Sequence, residues 1–410
     1  MKTSSKILYH LVFFTTLSIV VFSLFAIIFP SFLMTTFYPY TTNLQPFESS
    51  VWLVPIVSSN SILLVIGFAY YRKRLPLQIY KGIEFVLNFE ISKKTALLTG
   101  IIILVFYIGF SLPELAIDEA TQWDDYHLLK SGLDIWPSTV DPIIQYSPYS
   151  NEGYSEYERP IRMLLLDTSL DIFQNVKILP FVASILLVVV TFFLTYQITQ
   201  KRFAGIISMV ILLQSHTFLH FDTIATYENF WVLFYVVSLY AINRKWQYSS
   251  MSFLLSIFTK AFIWVFFLPS LYYICRASIS TRKKLYTLAS YAASLIVILL
   301  VLSFGESIYF DIINISSSEF FLAFNALGYT LRYDLIIVLS LLPLTLGLFF
   351  KFRKENSKKA DSILVLILTA LLAGPVVSML TDFYSVMPYR FLPLIVFVAV
   401  GIGVLLSRKN

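Results

Sequence analysis

Long, uninterrupted apolar runs alternate along this chain with short polar stretches, and the length of the runs decides what they are. A helix rises 1.5 Å per residue, so crossing a bilayer core of about 30 Å takes about 20 mostly apolar residues, fewer where a helix crosses only in part. Twelve segments qualify, at about 9–29, 51–71, 95–112, 178–198, 203–219, 229–243, 247–259, 261–275, 286–303, 335–350, 362–380 and 391–407. The seventh and eighth are short, and only Lys260 separates them. Within the runs apolar residues follow one another without alternation, which points to helices and not to barrel strands, because lipid leaves no partner for an open backbone. The expected fold is therefore an all-α polytopic membrane protein with about twelve transmembrane helices. Lys2 and Lys6 precede the first run as in a signal peptide, but no small-residue cleavage site follows, so the run reads as a retained span.

The polar punctuation carries the orientation. With the N-terminus inside, most of the 30 Lys and Arg residues fall on one side, in clusters such as "RKR" at 72–74, "TRKK" at 281–284 and "KFRKENSKK" at 351–359. The positive-inside bias makes that side cytoplasmic and places both termini there. Most of the 24 acidic residues face outward on the same threading. Carboxylates have little influence on topology, so their concentration needs a reason of its own, and an external site is one. Composition agrees: hydrophobic residues make up 58% of the chain, charged residues 13%, and the mean hydropathy is +0.77. The net charge of +6 comes from loop clusters and does not indicate a nucleic-acid partner. The single cysteine, Cys275, allows neither a disulfide framework nor a cysteine metal site, and its apolar setting suggests a small core residue.

The largest external segment, 112–177, opens with "PELAIDEATQWDDYHLLKSG" at 113–132, which holds Glu114, Asp118, Glu119, Asp124 and Asp125; Asp134 follows shortly after. Its second half, "RMLLLDTSLDIFQN", spaces Leu166, Leu170 and Phe173 for an interfacial helix that turns this stripe toward lipid or neighbouring spans. Trp123, Trp136, Tyr146, Tyr149, Tyr154 and Tyr157 suit the same depth.

Three constellations could carry chemistry. Asp118 and Glu119 adjoin the third span, where two carboxylates near a low-dielectric boundary can be tuned to take a proton or to hold a polar substrate; the plain alternative is a solvated capping turn. "HTFLHFDTIATYEN" at 216–229 brings His216, His220, Asp222 and Glu228 to the same side. Two histidines without a third ligand assign no metal site, and interfacial hydrogen bonding suits them better. Asp222 or Glu228 can supply a second carboxylate. Lys260 and Arg390 are external cations beside apolar runs, placed either to meet an anion or to anchor helix ends among headgroups.

The order of these motifs resembles the GT-C superfamily of membrane glycosyltransferases. It runs from a span into an outward "DEA", a long interfacial loop, a "TK" between short helices, and "PYRFLPLIVF" entering the last helix. Within that superfamily the pattern is most similar to the branch of protein O-mannosyltransferases and the lipid A aminoarabinose transferase. The resemblance covers roughly residues 95–303, with a weaker match near 386–400. It implies a catalytic membrane core over 95–303 with its external loop at 113–177, preceded by two transmembrane helices and a cytoplasmic loop at 1–94 and followed by transmembrane helices at 304–410. Two spans before the core depart from the usual arrangement, in which the motif-bearing loop follows the first span.

The implied activity moves a hexosyl or pentosyl group from a polyprenyl-phosphate-linked donor to a protein, lipid or glycan acceptor on the external or lumenal face of a cell or endomembrane. By resemblance, Asp118 is the catalytic carboxylate, Glu119 completes its motif in a positioning role, and Lys260 and Arg390 approach the donor phosphate. Asp222 and Glu228 remain alternative second carboxylates. Membrane lipids are the remaining partners. The cofactor is unknown; a divalent cation stays open as one, with no metal site assigned. The rival readings are a polytopic transporter or lipid flippase, for which charges deep inside several spans are expected, and a non-catalytic membrane subunit using the acidic loop for docking.

Overall fold

The computed structural model describes residues 3–30, 47–123, 125–135, 160–304, 315–355, 358–381 and 386–407, and all regular structure among them is helical. The first half of the chain forms α1 (Thr3–Ile28), α2 (Leu53–Tyr71), α3 (Leu77–Asn88), α4 (Lys93–Ser111), α5 (Tyr126–Ile135), α6 (Pro160–Phe173) and α7 (Ile178–Thr199). The second forms α8 (Arg202–Leu213), α9 (His216–His220), α10 (Phe230–Arg244), α11 (Gln247–Thr259), α12 (Phe267–Arg276), α13 (Thr281–Phe304), α14 (Ser317–Leu331), α15 (Leu335–Glu355), α16 (Lys358–Thr381) and α17 (Leu392–Leu405). Local chemistry sets several of the boundaries. Ser92 caps α4 by accepting from the Thr95 amide at 3.1 Å, and Gln200 ends α7 in the left-handed conformation, φ 59°.

Seven helices among the described residues are long and apolar enough to cross a membrane: Ile7–Ile28, Leu53–Tyr71, Lys93–Ala116, Ile178–Thr199, Leu335–Lys354, Lys359–Leu380 and Pro388–Leu405. The expectation of about twelve is not reproduced at that level. The runs expected at 203–219, 229–243 and 261–275 fall on the shorter apolar helices Arg202–Leu213, Phe230–Arg244 and Ala261–Arg276, and the run at 247–259 on the 13 residues of α11. The run at 286–303 lies in α13. Helices of 12 to 15 residues reach only about 18–22 Å, less than a full crossing. The run from 203 breaks after Leu213, where Gln214 and Ser215 turn the chain and Ser215 caps the short helix α9.

The outer surface agrees with a lipid environment. On α4, Leu97, Leu98, Val105, Phe106 and Phe110 are all exposed, and α2 buries only Ile56 and Asn60. Such a band would be a liability in water and is ordinary against acyl chains. Between these helices, α3 buries none of its residues and carries Leu77, Ile79, Phe85 and Val86 exposed, on a segment that falls within the expected cytoplasmic loop. One further expectation is corrected: Cys275 is exposed instead of lying in the core, because it occupies an outer position of α12. On α6 the stripe divides between the two surroundings expected for it, Leu166 being buried against the bundle while Leu170 and Phe173 are exposed; Arg162, Met163 and Ser169 share the buried face. Asp124, Trp136, Tyr146, Tyr149, Tyr154 and Tyr157 lie outside the described residues.

The last helix is the pillar of the bundle. Twelve residues of α17, Leu392 through Gly401 together with Gly403 and Val404, are buried, and it packs on α7, α8, α15 and α16. A helix apolar on every side belongs inside a bundle. Because lipid is as apolar as these side chains, close packing and not water exclusion holds it there. Gly403 permits the closest approach: a Cβ at that position would overlap the Thr195 methyl and stand 3.1 Å from the Ala204 carbonyl oxygen. Gly403→Ala is therefore expected to cost about 1–3 kcal/mol through forced separation of α17 from α7 and α8. Its measure is a lowered unfolding temperature in detergent, and parental stability would refute the close-packing account.

Candidate functional site

The site is organised by the segment 221–229, which joins α9 to α10 and is buried at every position except Tyr227, which is half-buried. Backbone amides and carbonyls placed there need partners, and distant polar side chains provide them. Glu119, itself only 2% exposed, accepts from the Ala225 amide at 3.0 Å and from the Thr226 amide at 2.7 Å, one bond to each carboxylate oxygen. Arg162 reaches in from α6: its Nη2 donates to the Ala225 and Thr226 carbonyls at 3.3 and 2.8 Å, and its Nε pairs with Glu228 at 2.8 Å. Two adjacent residues are thus gripped at both amide and carbonyl, the amides by Glu119 and the carbonyls by Arg162. This grip is why α6 turns Arg162 inward.

Hydroxyls and amides complete the seat. Ser111, ending α4, donates to Asp222 Oδ2 at 2.7 Å, and Ser184 of α7 donates to the Asp222 carbonyl at 2.7 Å. Asn229 donates to Ser184 and to the Phe221 carbonyl. Thr223 donates to Glu114 at 3.2 Å. Lys177, just ahead of α7, donates to the Glu114 and Ile117 carbonyls at 2.6 and 3.1 Å, tying down the chain that leads into the acidic turn. Burial lowers the Lys177 pKa, opposed by the nearby carboxylates, of which Glu119 acts most strongly. Ser215 caps α9 and donates to Asp334, which caps α15 through the Ile337 amide.

The two sequence carboxylates at 118 and 119 have separate fates. Asp118 is exposed and caps the short turn Glu119–Thr121 by accepting from the Ala120 amide at 3.0 Å. Glu119 is occupied with the 225–226 peptide units, an arrangement suited to holding a loop and not to exchanging protons. The two candidates for a second carboxylate also differ. Glu228 is ion-paired to Arg162 through Oε2, its Oε1 being buried and unpartnered. Asp222 lies among hydroxyls, with Oδ1 buried and unpartnered. Burial pushes its carboxyl up to about 7, against the Ser111 bond that favours the charged form.

The predicted cations do come together, on an aromatic residue. The Lys260 Nζ lies 4.0 Å from the Tyr389 ring centroid and 5.3 Å from that of Trp231. Arg390 lies over the Tyr389 and Phe262 rings at 5.6 and 5.5 Å, and its Nε donates to the Tyr389 hydroxyl at 3.2 Å. Tyr389 stacks on Tyr227 with centroids 4.5 Å apart, and the Tyr227 hydroxyl donates to Asp125 at 2.6 Å. A continuous chain of contacts therefore runs from the cations through two tyrosines to the acidic loop. Lys260 is 4% exposed, so its charge is held by ring faces in a desolvated setting where such contacts are strongest.

No family model, curated protein or solved structure matches this chain. His216 and His220 lie with ring centroids 5.6 Å apart, and His220 meets the edge of Trp123 at 5.5 Å. Burial, with the His216 charge second, lowers the His220 pKa. No three His, Cys, Asp or Glu residues among those described cluster as metal ligands. Arg162, Tyr227, Tyr389 and Lys177 escaped the sequence reading. Arg162 had a signal, a cation beside the apolar run "MLLL", and Tyr389 adjoins the suspected Arg390.

The Asp222 shift has a pH consequence with a definite sign. A folded-state pKa near 7, against an unfolded carboxyl near 4, makes its contribution to stability largest below about pH 4 and loses it as the pH rises toward 7. Asp222→Asn stays neutral throughout. Relative to the parent, it is expected to flatten the fall in unfolding temperature between pH 4 and 7, by up to a few kcal/mol at about 1.4 kcal/mol per pK unit. Identical pH profiles for the two proteins would place Asp222 in its charged form.

Proposed function

We propose that this protein is a GT-C-like membrane glycosyltransferase that moves a sugar from a polyprenyl-phosphate-linked donor to an acceptor at the outer or lumenal membrane face. The observation that carries the reading is the gathering of Lys260 and Arg390 around Tyr389, in contact through Tyr227 with the loop that bears Asp118 and Glu119. Leaving-group stabilisation and proton acceptance need such opposite charges at one end of the bundle. Twelve membrane segments, the shorter helices α8, α10 and α11 among them, with both termini on the cytoplasmic side, belong to the same reading.

The chemistry is a displacement at the anomeric carbon. The acceptor hydroxyl or amide attacks, its proton passes to Asp118, and the new bond forms as the bond from the anomeric carbon to the phosphate oxygen breaks. The electron pair leaves with the lipid phosphate, whose growing charge Lys260 and Arg390 offset. Glu119 acts indirectly, by holding the 225–226 turn and with it the Tyr227 ring. Asp118 suits the role of acceptor because it is exposed at the turn, whereas Glu119 and Glu228 are already engaged.

With purified protein and a polyprenyl-phosphate sugar, Asp118→Asn is expected to slow transfer by about 100-fold or more, with the fold intact, as loss of a general base requires. Lys260→Ala and Arg390→Ala are expected to weaken donor binding, since each removes a charge-assisted contact. Parental transfer by folded Asp118→Asn protein would remove the assignment, and unaltered donor affinity in both cation variants would return them to anchoring. Movement of lipid-linked sugar across liposomes without transfer would favour a flippase.

Topology is tested separately, by cysteines introduced at Ser150 and Ser357 after Cys275 is replaced by Ser. A membrane-impermeant thiol reagent is expected to label the two from opposite sides; labelling from the same side would reject the threading.

A further inference from the structure

The end of the bundle opposite the candidate site holds a cavity of its own. It lies where α7, α10 and α12 finish and α16 begins, has a volume of about 340 Å³, and is lined in part by Gln197, Asn243, Arg244, Arg276, Lys359 and Ser362. That volume falls at the lower end of the ~300–1,000 Å³ range of small-molecule sites. Its wall is polar and cationic where the surrounding helices are apolar.

Two of the three cations are held in place by the fold. Arg276 Nη2 pairs with Asp361 at 2.8 Å, and its Nε and Nη2 donate to the Tyr272 hydroxyl at 3.1 and 3.0 Å. Tyr272 in turn donates to Asp361, which is fully buried. These bonds leave Arg276 Nη1 outside the triad. Lys359 Nζ donates to the Ile198 carbonyl at 2.5 Å, fixing its position at the end of α7. Arg244, in the last turn of α10, is exposed and has no carboxylate among its described ion pairs. Asp361 offsets one cation of three, so the cavity keeps a positive surplus. Lys359 also belongs to the first turn of α16, where free amides and the helix dipole favour negative charge.

We infer that this cavity binds a phosphate group, presented on the basic side of the membrane by a lipid headgroup or by free phosphate. Planar and point cations around a polar pocket recognise phosphate oxygens; the Gln197 amide donates to the Tyr240 carbonyl and the Asn243 amide to Gln197 Oε1, and each keeps a second N–H for the same anion. The cavity is formed by the ends of α7, α10, α12 and α16 remote from Tyr389, so this site is independent of the proposed sugar transfer.

The test uses the full-length protein in neutral detergent and two probes. Nanodiscs of phosphatidylglycerol or phosphatidylcholine followed by native mass spectrometry report a bound headgroup, and inorganic phosphate with thermal unfolding reports the free anion. The parent is expected to retain phosphatidylglycerol selectively, or to be stabilised by phosphate, with the two arms separating the sources. Arg244→Gln combined with Lys359→Gln should reduce that binding by about tenfold or more. Arg282→Gln serves as control, because Arg282 is exposed at the same end but lies outside the cavity lining. An equal loss in Arg282→Gln would reveal general surface charge and overturn the site, as would unchanged binding in the double variant or no binding of either probe to the parent.

Discussion

A buried loop of nine residues with its peptide groups turned toward side chains is the constraint from which the rest of this site follows. Backbone that is neither helix nor solvated has to be satisfied from outside, and in residues 221–229 the amides of Ala225 and Thr226 fall to Glu119 while their carbonyls fall to Arg162. Each partner comes from a segment distant in sequence. The acidic turn after α4, the first turn of α6 and the start of α10 are consequently locked to one another.

That lock sets the division of labour among the carboxylates. Glu119 and Glu228 are consumed by structure, one by peptide amides and the other by Arg162, while Asp118 stays exposed beside them. The same loop delivers Tyr227 to Tyr389, so the cations at 260 and 390 are registered against the acidic loop by ring stacking instead of direct pairing. Ring stacking of this kind fixes position through shape and face contact, so the two cations and the acidic loop share one register.

The two ends of the bundle use ionised groups in different ways. At the end carrying the loop, charge is distributed over helix termini and turns that meet through aromatic faces. At the other, Arg276, Tyr272 and Asp361 form a compact triad beside a polar cavity. The pillar α17 joins these ends, with Arg390 in the turn at its start and its apolar body packed on α7, α8, α15 and α16.

Much of the architecture was legible in the chain itself. Long apolar runs can only be helices in lipid, and the positions of Asp118, Glu119, Lys260 and Arg390 at the ends of such runs marked them as groups needing a purpose. Helix length was less legible: hydropathy alone carries the run from 203 on to 219, whereas Gln214 and Ser215 end it, Ser215 by capping the next short helix. Nor could it reveal that the face of α6 holding Arg162 turns inward, since that choice is made by the carbonyls of residues 225 and 226. By itself the sequence determined which segments are apolar helices and which charges sit at their ends. Only the tertiary structure decided which carboxylate is spent on the backbone and which cations share a ring, because those outcomes depend on long-range partners brought together by packing.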